Sequence, residues 1–111
     1  MANLQNLTAI DLGNNGIFGI IPSQMKHVKL LEHLILSSNQ LTGTLPSEIG
    51  DLMEIQTLDL SDNSFTGEKI DTIICNLTEM KYFNISRNLF RGKVERLYNI
   101  VNLGEYSNEI I

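Results

Sequence analysis

Apolar residues along this chain fall in blocks that repeat themselves. Leu7, Ile10 and Leu12, followed by Asn15 and Ile17, return as Leu31, Leu34, Leu36, Asn39 and Leu41. They return again as Ile55, Leu58, Leu60, Asn63 and Phe65, and a fourth time as Met80, Phe83, Ile85, Asn88 and Phe90. The four asparagines are spaced 24, 24 and 25 residues apart, and each is followed four residues later by Gly19, Gly43, Gly67 or Gly92. A fixed period of this length identifies a repeat protein, in which each unit buries its apolar edge only by stacking on its neighbours. Within each block the apolar residues alternate as a strand with one buried face requires, so Ile10/Leu12, Leu34/Leu36, Leu58/Leu60 and Phe83/Ile85 are expected to point inward.

After each strand the backbone has to turn through the interior, where an unpaired peptide group costs about 1–3 kcal/mol. An asparagine offers both a donor and acceptors, so Asn15, Asn39, Asn63 and Asn88 can satisfy those groups as a stacked ladder. The glycine four residues on allows a positive φ or a close backbone approach. Pro22 and Pro46 predict an extended stretch in which an amide donor is not needed.

These residues resemble the leucine-rich repeat, LxxLxLxxNxL, and Leu41-Thr42-Gly43-Thr44-Leu45-Pro46-Ser47-Glu48-Ile49-Gly50 resembles the LTGxIPxxLG tail of its plant-specific class. Repeat one keeps Gly19, Ile21 and Pro22. Repeat three keeps Phe65-Thr66-Gly67 but inserts a residue and has no proline, and repeat four shortens after Gly92. The resemblance implies an α/β repeat solenoid, a short arc with a parallel concave β-sheet and mostly irregular or 3-10 convex arcs. One domain over residues 1–111 is expected, with repeats at about 4–27, 28–51, 52–76 and 77–99 and a partial one at 100–111. Tyr106 would take the inward strand position of that last coil, and a frayed end is expected after about Leu103. By the same resemblance the chain is similar to ectodomains of receptor-like kinases and receptor-like proteins and to polygalacturonase inhibitors. These recognise peptides, proteins or hormones in defence and development.

The register also lays out the outward strand positions as columns. Ala9, His33, Thr57 and Tyr82 form one; Asp11, Ile35, Asp59 and Asn84 the next; then Gly13, Ser37, Ser61 and Ser86; and Asn14, Ser38, Asp62 and Arg87 at the edge. An aromatic or aliphatic group exposed on a rigid sheet can be worth at least about 2 kcal/mol when a partner buries it. Partner-binding candidates are therefore His33, Ile35, Thr57 and Tyr82, with Asp59, Asp62 and Arg87 adding orientation and charge complementarity. Scattered exposed apolar residues also occur without a function. An intracellular scaffold, or a repeat fragment with no function of its own, is the alternative.

Composition and charge refine this. The chain of 111 residues is 42% hydrophobic with a net charge of −5, and has no apolar run of the length a membrane span needs. Its acidity argues against general nucleic-acid binding. The charge is uneven, with three lysines against ten carboxylates up to residue 80 and five cations against one carboxylate in residues 81–96. The start lacks the basic and then apolar order of a signal peptide. An intracellular protein, a degenerate gene product and a piece of a longer secreted or receptor chain all fit, so an extracellular or receptor-ectodomain location follows from the resemblance alone and the cytoplasm is the alternative. Apolar repeat ends left uncapped are expected to promote self-association.

Candidate chemistry is sparse. Cys75 is a lone cysteine, so no internal disulfide is expected; it stands where repeat two has Gly50. The register puts His27 and Cys75 on convex bends and His33 on the concave strand, which keeps any Cys/His pair out of hydrogen-bond reach. Asp11 and Asp59 share a column but lie two strands apart, at about 4.7–4.9 Å per strand. No metal-ligand cluster, phosphate loop or cofactor motif is present, and the reading is non-catalytic. Three N-x-[ST] sequons begin at Asn6, Asn76 and Asn84. Asn76, on the arc outside the concave sheet, is the favoured glycan site, whereas a glycan on Asn84 would occupy the concave face.

Overall fold

A computed structural model describes residues 4–68, 70–91 and 105–106. Each coil begins with a short strand, β1 (Ala9–Asp11), β3 (His33–Ile35), β5 (Thr57–Asp59) or β7 (Tyr82–Asn84). With β9 (Glu105–Tyr106) they make a five-stranded parallel sheet in the order β1-β3-β5-β7-β9. The register carries Ala9 onto His33, Thr57 and Tyr82, and Asp11 onto Ile35, Asp59 and Asn84, so the expected columns are real neighbours. Tyr106 pairs in register with Phe83. The expectation that regular structure ends near Leu103 therefore fails at residues 105–106, where a fifth strand finds a ready-made edge on β7.

A second parallel sheet follows the asparagine turns. Its strands are β2 (Phe18–Gly19), β4 (Gln40–Thr44), β6 (Ser64–Gly67) and β8 (Leu89–Phe90), in that order. The Leu-Thr-Gly-Thr alternation of repeat two buries Leu41 and Leu45 and exposes Thr42 and Thr44, the pattern of a strand with one wet face. The convex arcs then return as 3-10 turns at Ser23–His27 and Ser47–Asp51. Pro22 and Pro46 enter these turns at φ −78°, ψ 151° and φ −65°, ψ 140°, the extended conformation expected of them. Repeat three, with its inserted residue and no proline, closes instead through one turn of helix, α1 (Ile70–Ile74).

The interior is a single column of apolar side chains. Leu31, Ile55 and Met80, Leu34, Leu58 and Phe83, and Leu60 and Ile85 are essentially inaccessible, and Phe65 stacks on Phe90 with ring centroids 6.1 Å apart. Full burial of such a side chain stabilises by about 1.5–3 kcal/mol. Leu12 departs from the inward expectation at 43% exposure, because the described coils cover repeat one from one side only. On the convex side Gly50 packs so closely on α1 that a Cβ there would overlap the Ile73 carbonyl oxygen. Gly50 is needed for that close approach, not for an unusual φ.

The asparagine ladder forms as a hydrogen-bonded spine. Asn39 Oδ1 accepts from the amides of Asn15 (3.0 Å) and Ile17 (2.9 Å), while its Nδ2 donates to the carbonyls of Leu12, Leu36 and Ser37. Asn63 accepts from Leu41 N–H and donates to Leu36, Leu60 and Ser61. Asn88, almost fully buried, accepts from Phe65 N–H and donates to Leu60, Ile85 and Ser86. The residue before each asparagine is left-handed: Asn14, Ser38, Asp62 and Arg87 have φ of 58°, 58°, 57° and 55°. Glycines Gly19, Gly43 and Gly67 also sit at positive φ, and at Gly43 the space a Cβ would need is taken by Ile20. Gly92 lies outside the described residues.

Two stability outcomes follow. Asn63→Ala is expected to cost about 2–4 kcal/mol in urea unfolding, because it strands groups on two coils, whereas Asn15→Ala, with one side-chain bond to Gly13 O, costs about 0.5–1.5 kcal/mol. Gly50→Ala is expected to lower stability by about 1–3 kcal/mol by forcing α1 away from the preceding arc, read in the same unfolding measurement.

Candidate recognition surface

The exposed face of the five-stranded sheet is built by strand alternation: the residues on either side of each buried Leu34, Leu58 or Phe83 must face out, and they are half-buried. His33, Thr57 and Tyr82 become direct neighbours on adjacent strands, and so do Ile35, Asp59 and Asn84. His33 Nδ1 lies 3.0 Å from Thr57 Oγ1, and Tyr82 Oη accepts from Asn84 Nδ2 at 3.3 Å. One column further out, Gln56 Nε2 donates to Glu32 Oε1 at 3.3 Å, with exposed Lys81 following in the same column. Asp62 and Arg87 are exposed at the rim, both on the left-handed turn. The seven residues read from the sequence as partner-binding thus lie on one continuous surface.

Several of them are also tied into the framework, which spacing alone does not show. Asp59 Oδ1 accepts from Ser61 N–H at 3.1 Å and from Ser61 Oγ at 2.7 Å. Asn84 Oδ1 makes the same pair of contacts to Ser86, at 3.0 and 2.7 Å, and Asp11 Oδ1 accepts from Gly13 N–H at 3.2 Å. These side chains satisfy the amide two residues on, as aspartate and asparagine commonly do in turns. The signal was available as a recurring Asx-x-Ser or Asx-x-Gly.

The remaining candidates lie elsewhere. Asn6 ends the first 3-10 turn and Asn76 follows α1; both are exposed, whereas Asn84 is half-buried on β7. Cys75 is half-buried and its Sγ donates to Thr72 O at 3.2 Å. His27 ends the convex 3-10 turn of repeat one, away from His33. Among the described residues no three His, Cys, Asp or Glu side chains gather closely enough to hold a metal ion, and no helix is long and apolar enough to cross a membrane. The second sheet presents a further surface that the sequence reading did not single out, where Phe18, Ile20 and Leu89 are exposed beside Thr42, Thr44 and Thr66.

Comparison with known proteins fits this geometry. A family model described as leucine rich repeat matches residues 5–65, and a second of the same description matches residues 54–77. No curated protein matches the chain significantly. Among solved structures, the ectodomain of the receptor kinase SOBIR1 from Arabidopsis thaliana is similar at 30% identity and a TM-score of 0.80, over 87% of this chain and 53% of its own. PEPR1, solved with AtPEP1, is similar at 30% identity and 0.74, over 78% of this chain and 12% of the other. A plant ice-binding protein is similar at 28% identity and 0.78, over 91% and 34%. The chain therefore spans about half the SOBIR1 ectodomain and a smaller share of the other two. With the asparagine spine, the Leu-Thr-Gly tail and the second sheet in place, these matches show that the chain belongs to the leucine-rich repeat family, as a plant-type member.

Proposed function

We propose that the concave sheet is a non-catalytic recognition surface for a protein or an extended peptide. The observation that carries this reading is the contrast between its two faces. Inward positions stay aliphatic or aromatic from coil to coil, while the outward columns bring together an imidazole, an aliphatic group, a phenol, carboxylates and a guanidinium on adjacent strands. A rigid sheet carrying a half-buried aromatic and aliphatic cluster with a charged rim has the composition of a binding hot spot. Arg87 adds to the argument, because it occupies a left-handed turn where glycine, asparagine or aspartate costs less, by about 1–2 kcal/mol. Likeness to PEPR1, solved with AtPEP1, supports a protein or peptide ligand, and likeness to the receptor-kinase ectodomain of SOBIR1 supports a receptor context, which we extend to plant defence or developmental signalling. Fold likeness alone does not choose a function, since the ice-binding protein shares it.

The test uses heptapeptides selected from a random displayed library against the wild-type chain. Changing His33, Ile35 and Tyr82 together to alanine is expected to weaken their binding at least about tenfold in calorimetry, with the thermal unfolding midpoint little changed. Unaltered affinity in a folded variant moves the site off this face. A second outcome concerns modification: in a chain passed through a plant secretory pathway, site-resolved mass spectrometry after deglycosylation should find Asn76 occupied and Asn84 empty. Asn84 has both ends of its amide engaged, by Tyr82 and Ser86, so substantial occupancy there would contradict the placement of the recognition surface.

A further inference from the structure

The self-satisfied pattern of the concave face is interrupted once. In repeats one, three and four, the side chain of Asp11, Asp59 or Asn84 accepts from the amide two residues on. In repeat two that position is Ile35, which has no acceptor to offer. Among the described residues, Ser37 therefore keeps a backbone N–H and a hydroxyl that donate to no protein group, whereas Ser61 and Ser86 each have both engaged. A second departure lies beside the first. Repeat one has Gly13 where the later coils have serine, and the space a Cβ would take there is 3.3 Å from Ser37 Oγ and 3.5 Å from Asp11 Oδ1. Gly13, which has no side chain, thus lies close to the Ser37 hydroxyl and the Asp11 carboxylate, with Ile35 in register beside Asp11.

We infer that this cluster of Ser37 donors and Asp11 carboxylate around Gly13 is a subsite for a side-chain carboxamide, an asparagine or glutamine of a bound extended peptide; the inference rests on the concave-face reading above. The amide oxygen would accept from Ser37 N–H and Oγ, repeating what Asn84 Oδ1 does for Ser86. The amide nitrogen would donate to Asp11, whose second oxygen is available after Oδ1 has taken Gly13 N–H. Ile35 is flanked in register by Asp11 on one strand and Asp59 on the other, so a ligand carboxylate would be repelled where a neutral carbonyl is accepted. The apolar stem of the ligand side chain lies on Ile35. The subsite therefore distinguishes asparagine and glutamine from aspartate and glutamate.

The test starts from the library-selected heptapeptides and wild-type chain. Peptides that lose affinity for the His33, Ile35, Tyr82 triple alanine variant are expected to share asparagine or glutamine at one position, and changing it to the matching acid should weaken binding about tenfold. Ile35→Asn, which installs the internal acceptor seen at Asn84, should bring that discrimination close to one. Ile35→Ala, which leaves the Ser37 donors unpaired, should lower affinity yet preserve the discrimination. Circular dichroism and thermal melts check that both variants fold. Concave-face peptides without a shared carboxamide position, or discrimination that survives Ile35→Asn, overturn the subsite while leaving the broader reading intact. Failure to obtain any peptide sensitive to the triple variant removes both.

Discussion

The structure depends on the asparagine side chain that joins one coil to the next. Each of Asn39, Asn63 and Asn88 ties a carbonyl of the preceding coil to carbonyls of its own turn while accepting an amide from behind. In water such bonds contribute only about 0.5–1.5 kcal/mol each, but in the interior their absence leaves several peptide groups unpaired at once. No aliphatic side chain of similar size can substitute, because donor and acceptor must leave the same planar group in opposite directions. The apolar column supplies most of the burial, and the ladder sets the pitch at which that burial becomes possible.

Much of this was legible in the sequence because the period is strict. Recurrence of Leu-x-x-Leu-x-Leu-x-x-Asn gave the inward rows, the asparagine ladder and the outward columns, each of which depends on spacing alone. The second sheet was not anticipated. Its strands, such as Phe18–Gly19 and Leu89–Phe90, are only two residues long at the ends of the order, too short for alternation to show, and they form because the first sheet already holds successive coils in step. The helix in repeat three was equally hidden, since the insertion and missing proline announce a different arc without specifying its path. At the candidate site, the columns were readable but the bonds within them were not. Spacing places Asp59 on the surface and says nothing of Ser61 closing onto its carboxylate.

That difference separates two kinds of outward residue. Residues that look free in a column, such as Asp59 and Asn84, hold the framework as well as facing outward, so their substitution changes framework and surface together. Ile35, Tyr82 and Arg87 lie closer to pure surface. On the proposed reading, recognition would be concentrated where the framework does not already consume the available donors and acceptors, and the uneven charge along the chain would orient an approaching partner.

The asparagine turn is held between two parallel ladders, one on each side of it. A hinge between neighbouring coils would have to break both sets of strand pairing together with the side-chain bonds in the middle, so the curvature of the arc is fixed before any encounter. If the proposed recognition holds, a partner would meet a template, and nearly all the ordering on association would fall on the partner. Flexible peptides of suitable chemistry can mould themselves to that template at an entropic cost they bear alone, whereas a rigid protein must already possess the matching convex contour.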